Sequence, residues 1–278
     1  MPLPREIAVV GAGTMGAGIA RIFADAGSSV RLTARRETSL ETARERVGER
    51  VRMTTDLEEA LGGVDLVVET IAEEAEPKRG VLARAEELAG PRALLTTNTS
   101  SLPLAEIGRD LEWPERFAGL HFLNPPELVQ VVEIVAGETT SPETLVTLRA
   151  WMEELGKAPV VVRRDVPGFA VNRLQYALLR EAYALVDAGV CSFEDVDRAV
   201  TQGLGARWAA IGPFETMDLA GLDVHAAVAA NLWPELANGT EPSPSIEQAR
   251  ERGSIREDFD REELEERRDR VLRLLREA

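Results

Sequence analysis

A single cysteine, Cys191, rules out an internal disulfide, and with only two histidines, His121 and His225, the chain has no set of zinc ligands. That scarcity fits a reduced, cytoplasmic setting. No apolar run approaches the ~20 residues of a membrane-spanning helix. The opening Met1-Pro-Leu-Pro-Arg5 lacks the layout of a signal peptide, so no membrane partner is expected. Basic residues are also short, 32 against 48 acidic ones for a net charge of −16, which excludes the basic footprint that nucleic-acid binding needs. Lysine is nearly absent: Lys78 and Lys157 are the only two. Much of the acid lies in Glu73-Glu-Ala-Glu76 and in the tail from Glu257 to Glu277, read as solvated helix faces. Aromatics are sparse at 5%, but the apolar fraction of 44% is that of a globular protein, and 278 residues hold one large domain or two ordinary ones.

What is present begins with Glu6-Ile-Ala-Val-Val10, a short apolar run ending at Gly11-Ala-Gly13-Thr14-Met15-Gly16. Met15, Ile19, Ile22 and Phe23 then recur at helical spacing as far as Gly27, and a second strand, Val30-Arg-Leu-Thr33, follows. Strand, glycine turn and helix in this order make a dinucleotide-binding turn. Gly11 permits the tight bend, Gly13 lets backbone approach the pyrophosphate, and Gly16 lets helix pack on strand. At the end of the second strand, NAD-binding folds usually place an acid on the ribose hydroxyls. Here the sequence reads Thr33-Ala34-Arg35-Arg36. Guanidinium groups suit a 2′-phosphate, which favours NADP over NAD. The bland alternative is a solvated helix start, with Glu37 as substitute acid.

Helical and strand-like stretches continue to alternate. Leu40, Ala43 and Val47 mark a helix and 51–54 a strand, Asp56 caps a short helix, and Leu66-Val-Val-Glu69 is a buried strand. Pro77 sits in the first turn of a helix to about Leu88, and Ala93 to Thr97 is another strand, ending in Asn98-Thr-Ser100-Ser101. Ser141 and Pro142 open an amphipathic helix, and Pro159 to Val162 is a last strand. Such alternation predicts a Rossmann-type, doubly wound parallel sheet over residues 1–165, with ligands beyond the carboxyl ends of its strands. Ser100 falls there, as a substrate ligand or as a plain turn residue. Asp165-Val-Pro-Gly168 is the expected boundary, and residues 166–278 read as a smaller all-helical domain: one helix from about Phe169 to Ala188, one capped by Ser192, one opening at Gly212-Pro-Phe214, and a charged terminal helix from Arg261.

One histidine stands out. His121 lies between an apolar strand-like run and the turn Asn124-Pro-Pro, and Glu133 follows in a second strand-like run. A carboxylate that fixes an imidazole's tautomer and stabilises its charged form is a standard proton-transfer device. His225, alone on an apolar helix, reads as structural.

With these residues in view, the chain resembles the L-3-hydroxyacyl-CoA dehydrogenase family. The resemblance rests on Gly11-Ala-Gly-Thr-Met-Gly16, Asn98-Thr-Ser-Ser-Leu102, His121-Phe-Leu-Asn-Pro125 with Glu133, Pro167-Gly-Phe-Ala-Val-Asn172-Arg173 and Gly212-Pro-Phe214. The wording of Asn124-Pro-Pro-Glu127, Gly203-Leu-Gly205 and Glu215-Thr216 is similar to the λ-crystallin/L-gulonate 3-dehydrogenase branch and bacterial relatives. The resemblance implies an NAD(P)-dependent dehydrogenase of a 3-hydroxyacyl thioester or related 3-hydroxy acid, acting as a homodimer. His121 would be the general acid/base, Glu133 its orienting partner, and Ser100 and Asn172 the donors to the substrate oxygen. Gly11, Gly13, Thr14, Met15, Gly16, Arg35, Arg36, Glu73, Lys78 and Asn98 would line the cofactor; no metal is implied.

Three features depart from the pattern. The segment between the second strand and Asp56 is too short for the helical hairpin that family members use in holding CoA. The cofactor acid is missing. The C-terminus lacks the family's usual Lys-Gly-Arg-Gly-Phe-Tyr type of ending. A free hydroxy acid, gulonate- or carnitine-like, is therefore the rival substrate class, with a carrier-bound acyl chain as a third. A dinucleotide-binding protein without catalysis, as in recruited lens crystallins, is the alternative of another class. The 6-phosphogluconate-type dehydrogenases need a lysine in the helical domain, and none follows Lys157; short-chain dehydrogenases need a Tyr-Lys pair, which Tyr176 and Tyr183 lack.

Overall fold

A computed structural model describes residues 1–255 and 259–277. Glu257, where the acidic tail begins, and Ala278 lie outside the described residues. The chain forms two compact units, Met1–Val171 and Asn172–Ala278.

The first unit carries an eight-stranded sheet in the order β3-β2-β1-β4-β5-β6-β7-β8. The strands are β1 (Glu6–Val10), β2 (Ser29–Thr33), β3 (Val51–Thr54), β4 (Leu66–Glu69), β5 (Leu94–Thr97), β6 (Phe117–Phe122), β7 (Val131–Val135) and β8 (Ala158–Val162). The first six are parallel to one another, in the doubly wound order that reverses direction between β1 and β4. Helices α1 (Thr14–Asp25), α2 (Glu37–Val47), α3 (Leu57–Leu61), α4 (Ala75–Leu88), α5 (Leu104–Ile107) and α6 (Pro142–Glu154) cover the sheet. Side chains of α1, α2 and α6 pack with Ile7, Val9, Leu120 and Ile134 on one face. Those of α3, α4 and α5 pack with Ala8, Val10, Leu95 and Val135 on the other. Asp56 and Ser141 cap α3 and α6 as expected, accepting from the amides of Glu58, Glu59 and Thr144.

The all-parallel expectation fails at one pair. β7 runs antiparallel to β6, while β8 is parallel to β7. The reason is length: residues 123–130 are too few for the dozen or more that a parallel crossover requires, so the chain can only return beside itself. The turn at 165–168, expected to divide the domains, belongs to the first unit. Asp165 Oδ2 accepts the Leu104 amide at 2.6 Å, and Phe169 is buried in the apolar cluster on that face.

The second unit is helical: α7 (Val171–Asp187), α8 (Phe193–Arg198), α9 (Ala206–Trp208), α10 (Pro213–Ala220), α11 (Leu222–Leu232), α12 (Pro244–Arg252) and α13 (Arg261–Glu277). Ser192 caps α8 through the Asp195 amide, and Glu215 reaches back to the Gly212 amide at 2.8 Å to start α10. Between α8 and α9 the backbone widens into a π-helix over Ala199–Gly205, which the sequence pattern does not show. Gly205 suits that wider turn, since a Cβ there would approach Val200 O at 3.1 Å. No residue of α7, α8, α10 or α11 is buried.

The glycine turn illustrates how packing divides residue roles. A Cβ on Gly16 would lie 1.8 Å from Gly11 O, whereas one on Gly13 would meet nothing within 4 Å. Gly16→Ala is therefore expected to destabilise the protein by about 1–3 kcal/mol, as an overpacked core position does. Gly13→Ala is expected to leave the denaturation midpoint unchanged. Equilibrium denaturation of the two variants checks the contrast.

Candidate active site

Gly11, with φ of +115°, turns the chain sharply after β1, and its amide donates to Thr33 O at 2.8 Å. Thr70, just past β4, donates its hydroxyl to Gly11 O at 3.0 Å. The turn is thus clamped between the ends of β2 and β4, at the point where the sheet reverses its winding. Gly13 precedes α1 in extended conformation with no side-chain cap, which leaves the first amides of the helix without a side-chain acceptor. Open space at Gly13 and uncapped amides beside Thr14 and Met15 fit the pyrophosphate of a dinucleotide. Arg35 and Arg36 follow β2 on the same side and are exposed, with Arg36 immediately preceding α2.

Beyond β4 and β5 lies a network of buried charge. Lys78, 1% exposed, donates to Glu69 Oε1 at 2.9 Å and Oε2 at 3.0 Å and to Ile71 O at 3.3 Å. Glu69 also accepts from the Thr97 hydroxyl at 2.6 Å and the Ile71 amide at 2.6 Å. Lys78 approaches Glu73 Oε2 at 3.4 Å. Glu73 in turn gathers the loop after β5. Its Oε1 accepts from the Thr99 hydroxyl at 2.6 Å, the Ser100 amide at 2.9 Å, the Ser101 amide at 3.1 Å and the Ser101 hydroxyl at 3.0 Å. Burial alone would raise the Glu73 carboxyl. The Thr99 hydroxyl, the Ser100 amide, the charge of Lys78 and the Ser101 hydroxyl outweigh it and bring the group down to about 2. The structure therefore joins Glu73, Ser100 and Lys78, with the ammonium of Lys78 enclosed among carboxylates. Asn98 Oδ1 accepts the Phe122 amide at 2.8 Å, which ties this loop to the end of β6 beside His121.

The antiparallel pairing of β6 and β7 sets His121 directly opposite Glu133. Directly opposed residues point to the same face, so the two side chains meet, His121 Nδ1 lying 2.8 Å from Glu133 Oε2. Alternation along β6 puts His121 on the face of Gly119, whose pro-Cβ direction meets Val135 and Leu104. His121 is 5% exposed and Glu133 fully buried. The other oxygen of Glu133 accepts from the amides of Ala170 at 2.7 Å and Val171 at 3.0 Å, where α7 begins. Burial would push Glu133 up, but the His121 hydrogen bond, the Val171 and Ala170 amides and the His121 charge outweigh it, and the carboxyl titrates below its ordinary value. Asn172 is the second residue of α7, half-buried, and opens the second unit. His225 lies in α11. Glu69 falls in the Glu69–Glu73 stretch that the sequence places at a strand's carboxyl end, and Phe169 in the Pro167–Arg173 motif, but the sequence does not show the ion pair of Glu69 with Lys78 or the ring contact of Phe169 with His121. Neither contact is readable from residue type or spacing; a glycine before Phe169 is the only local sign of an unusual backbone.

A dinucleotide turn and a carboxylate-held histidine at the carboxyl ends of one sheet define a nicotinamide-dependent oxidoreductase. The NAD-binding-domain model of 3-hydroxyacyl-CoA dehydrogenase matches residues 6–51 and 43–166, and the C-terminal-domain model of the same enzyme matches 168–260. The chain is 36% identical over 260 residues to 5-formyl-3-hydroxy-2-methylpyridine 4-carboxylate 5-dehydrogenase of Mesorhizobium japonicum, covering 87% of this chain and 84% of that protein. It is 33% identical over 273 residues to the mitochondrial hydroxyacyl-coenzyme A dehydrogenase of Sus scrofa, covering 88% and 85%. Among solved structures, the same type of pyridine carboxylate dehydrogenase, described as an NAD+-dependent dismutase, superposes with a TM-score of 0.90 at 33% identity over 98% of this chain and 96% of that one. The 3-hydroxyacyl-CoA dehydrogenase of Archaeoglobus fulgidus gives 0.77 at 33% identity, covering 98% of each chain. The chain belongs to the 3-hydroxyacyl-CoA dehydrogenase family. It is an NAD-dependent oxidoreductase acting on the CH–OH group of a 3-hydroxyacyl-CoA or related hydroxy acid. No helix among the described residues is long and apolar enough to cross a membrane.

The Glu73 network has a measurable pH signature. A carboxyl held at about 2 in the fold, against an ordinary 4.5, contributes stability that is complete above 4.5 and is lost as pH falls toward 2. Glu73→Gln is expected to be less stable than the parent at pH 7, and the difference should close as pH drops through that window. Denaturant titrations from pH 7 to pH 2 measure it; a constant gap would refute the assignment.

Proposed function

We propose that the protein oxidises a secondary alcohol at C3 of an acyl thioester or related hydroxy acid, reversibly, with His121 as general acid/base. The observation that carries this reading is the 2.8 Å His121–Glu133 bond, with Glu133 held from behind by two amides. NAD(P), held at the glycine turn, would supply the hydride acceptor for the carbinol carbon. His121 takes the hydroxyl proton at Nε2, because Nδ1 is engaged by Glu133, and the carboxylate balances the charge that the imidazole gains. Ser100 and Asn172 donate to the substrate oxygen. Glu73, backed by Lys78 and Glu69, holds the Ser100 loop, and the Asn98 carboxamide links that loop to β6. The glycine turn with Thr14 and Met15 seats the pyrophosphate. Two exposed guanidinium groups at the end of β2, Arg35 and Arg36, with no acid between Thr33 and Arg36, favour NADP. The cysteine content fits a cytoplasmic setting.

A second substrate class is favoured by a specific observation. Between β2 and β3 the chain has one helix, α2, and a short link, and the family match breaks into two segments overlapping there. The superposition is also better on the pyridine carboxylate dehydrogenase than on the acyl-CoA enzyme, 0.90 against 0.77. Both point to a small free carboxylate without CoA.

Cofactor reduction with L-3-hydroxybutyryl-CoA and with free 3-hydroxy acids, each with NAD and NADP, separates these readings. His121→Ala is expected to lose on the order of 10²–10⁴-fold in kcat, and Glu133→Gln a comparable factor. Unchanged turnover in His121→Ala would refute the base. Higher kcat/KM with NAD would refute the NADP preference, and turnover only of free acids would select the second substrate class.

The helical unit supports a homodimer. Ala249 is its only buried apolar residue among those described, while Phe214 is 85%, Leu219 79% and Leu174 70% exposed. Helices with apolar side chains this open need a covering surface. Sedimentation equilibrium is expected to give twice the chain mass, and Leu219→Glu to shift the species toward monomer; a wild-type monomer at micromolar concentration would refute the dimer.

A further inference from the structure

We propose that Phe169 is a positioning residue for the His121–Glu133 pair, its backbone aiming two amides at the carboxylate and its ring fixing the imidazole. The inference rests on the reading of His121 as the base. Gly168 and Phe169 are consecutive residues with φ of +78° and +49°, and Phe169 is the only non-glycine residue with positive φ among those described. Bulky side chains avoid this region. The turn is closed by the Phe169 amide donating to Val166 O at 2.9 Å. Its outcome is that the next two amides, of Ala170 and Val171, both face Glu133 Oε1.

Backbone geometry alone would be met more easily by glycine at 169. The phenyl ring at that position has a second contact to account for it. It is 2% exposed and meets the His121 imidazole edge to face, with centroids 5.5 Å apart and planes at 63°. The Nδ1 bond to Glu133 fixes one point of the imidazole but leaves the ring free to tilt about that line. Phe169 closes this freedom on one side and keeps water from competing for the Nδ1–Oε2 bond. Nε2 then stays directed where the substrate hydroxyl must arrive. Phe169 touches neither substrate nor cofactor in this account; it acts through His121 and Glu133.

The test uses the full chain with Phe169→Leu, which keeps apolar volume, and Phe169→Met as a second variant if the first does not melt cooperatively. Three quantities are read: kcat, KM for the cofactor, and the downfield proton resonance of the His121 Nδ1–H hydrogen bond, assigned by its loss in His121→Ala. The expected result is a fall in kcat of about five- to tenfold, the worth of one aromatic pair. Cofactor KM should stay within about twofold, and the downfield resonance should broaden or vanish. A cooperatively folded variant with parental kcat and an intact resonance would overturn the proposal. The resonance reports on the imidazole whether or not His121 is the base. Failure of that reading would instead appear as turnover surviving in His121→Ala.

Discussion

The site depends on one carboxylate. Glu133 is fully buried, and an ionised group there is tolerated only because each oxygen is occupied, one by His121 and the other by two backbone amides. Hydrogen bonds to a charged group are worth roughly 1.5–3 kcal/mol each. Removing any partner would strand charge in a dry interior, at a cost of about 3–5 kcal/mol. The carboxylate therefore joins three segments: the adjacent strands β6 and β7, and the turn leading into α7, more than 30 residues further on. Their mutual placement is a condition of keeping Glu133 ionised, and an ionised Glu133 is what gives His121 a defined tautomer.

That arrangement follows from a chain-length constraint. A Rossmann sheet extended by another crossover would have placed β7 parallel to β6 with a helix between them. Residues 123–130 are too few, so β7 returns antiparallel, and the register brings residue 133 opposite residue 121. In a parallel pair the glutamate would have come at a different height along the strand. The same edge of the sheet collects the glycine turn, the Glu69–Lys78–Glu73 network and the Asn98 loop, since all of them follow strand carboxyl ends. The glycine turn and the His121–Glu133 pair are thus products of one rule of doubly wound sheets, with a single antiparallel exception that makes the pair.

Much of this was legible in the sequence. The glycine turn, the Asp56 and Ser141 caps and the apolar strands are local signals, each fixed by residue type within a few positions. His121 and Glu133 were found because histidine is rare in this chain and a glutamate inside an apolar run is conspicuous. The antiparallel strand was legible in principle, from the shortness of one loop, but strand alternation alone does not carry direction. Glu69 and Lys78 were hidden as partners because a buried ion pair looks in sequence like any two charges. Phe169 was hidden for a different reason: a phenylalanine with positive φ is set by the tertiary contacts around it and has no composition of its own. The π-helix at Ala199–Gly205 belongs with it, a backbone state that side-chain periodicity does not encode.

The elements that depart from the family pattern are not those that hold the His121–Glu133 pair. The His121–Glu133 pair, the Ser100 loop and the glycine turn stand at the ends of buried strands and on paired charges, where losing a buried partner costs about 3–5 kcal/mol. The β2–β3 connection is a surface crossover through one helix, and β2 and β3 pair in unbroken parallel register across it. A chain can therefore keep that connection short without disturbing the His121–Glu133 pair. On the proposed reading, reaction type is set in the sheet's interior and substrate size at its rim. The β2–β3 connection lies at that rim, outside the packing that holds His121 against Glu133.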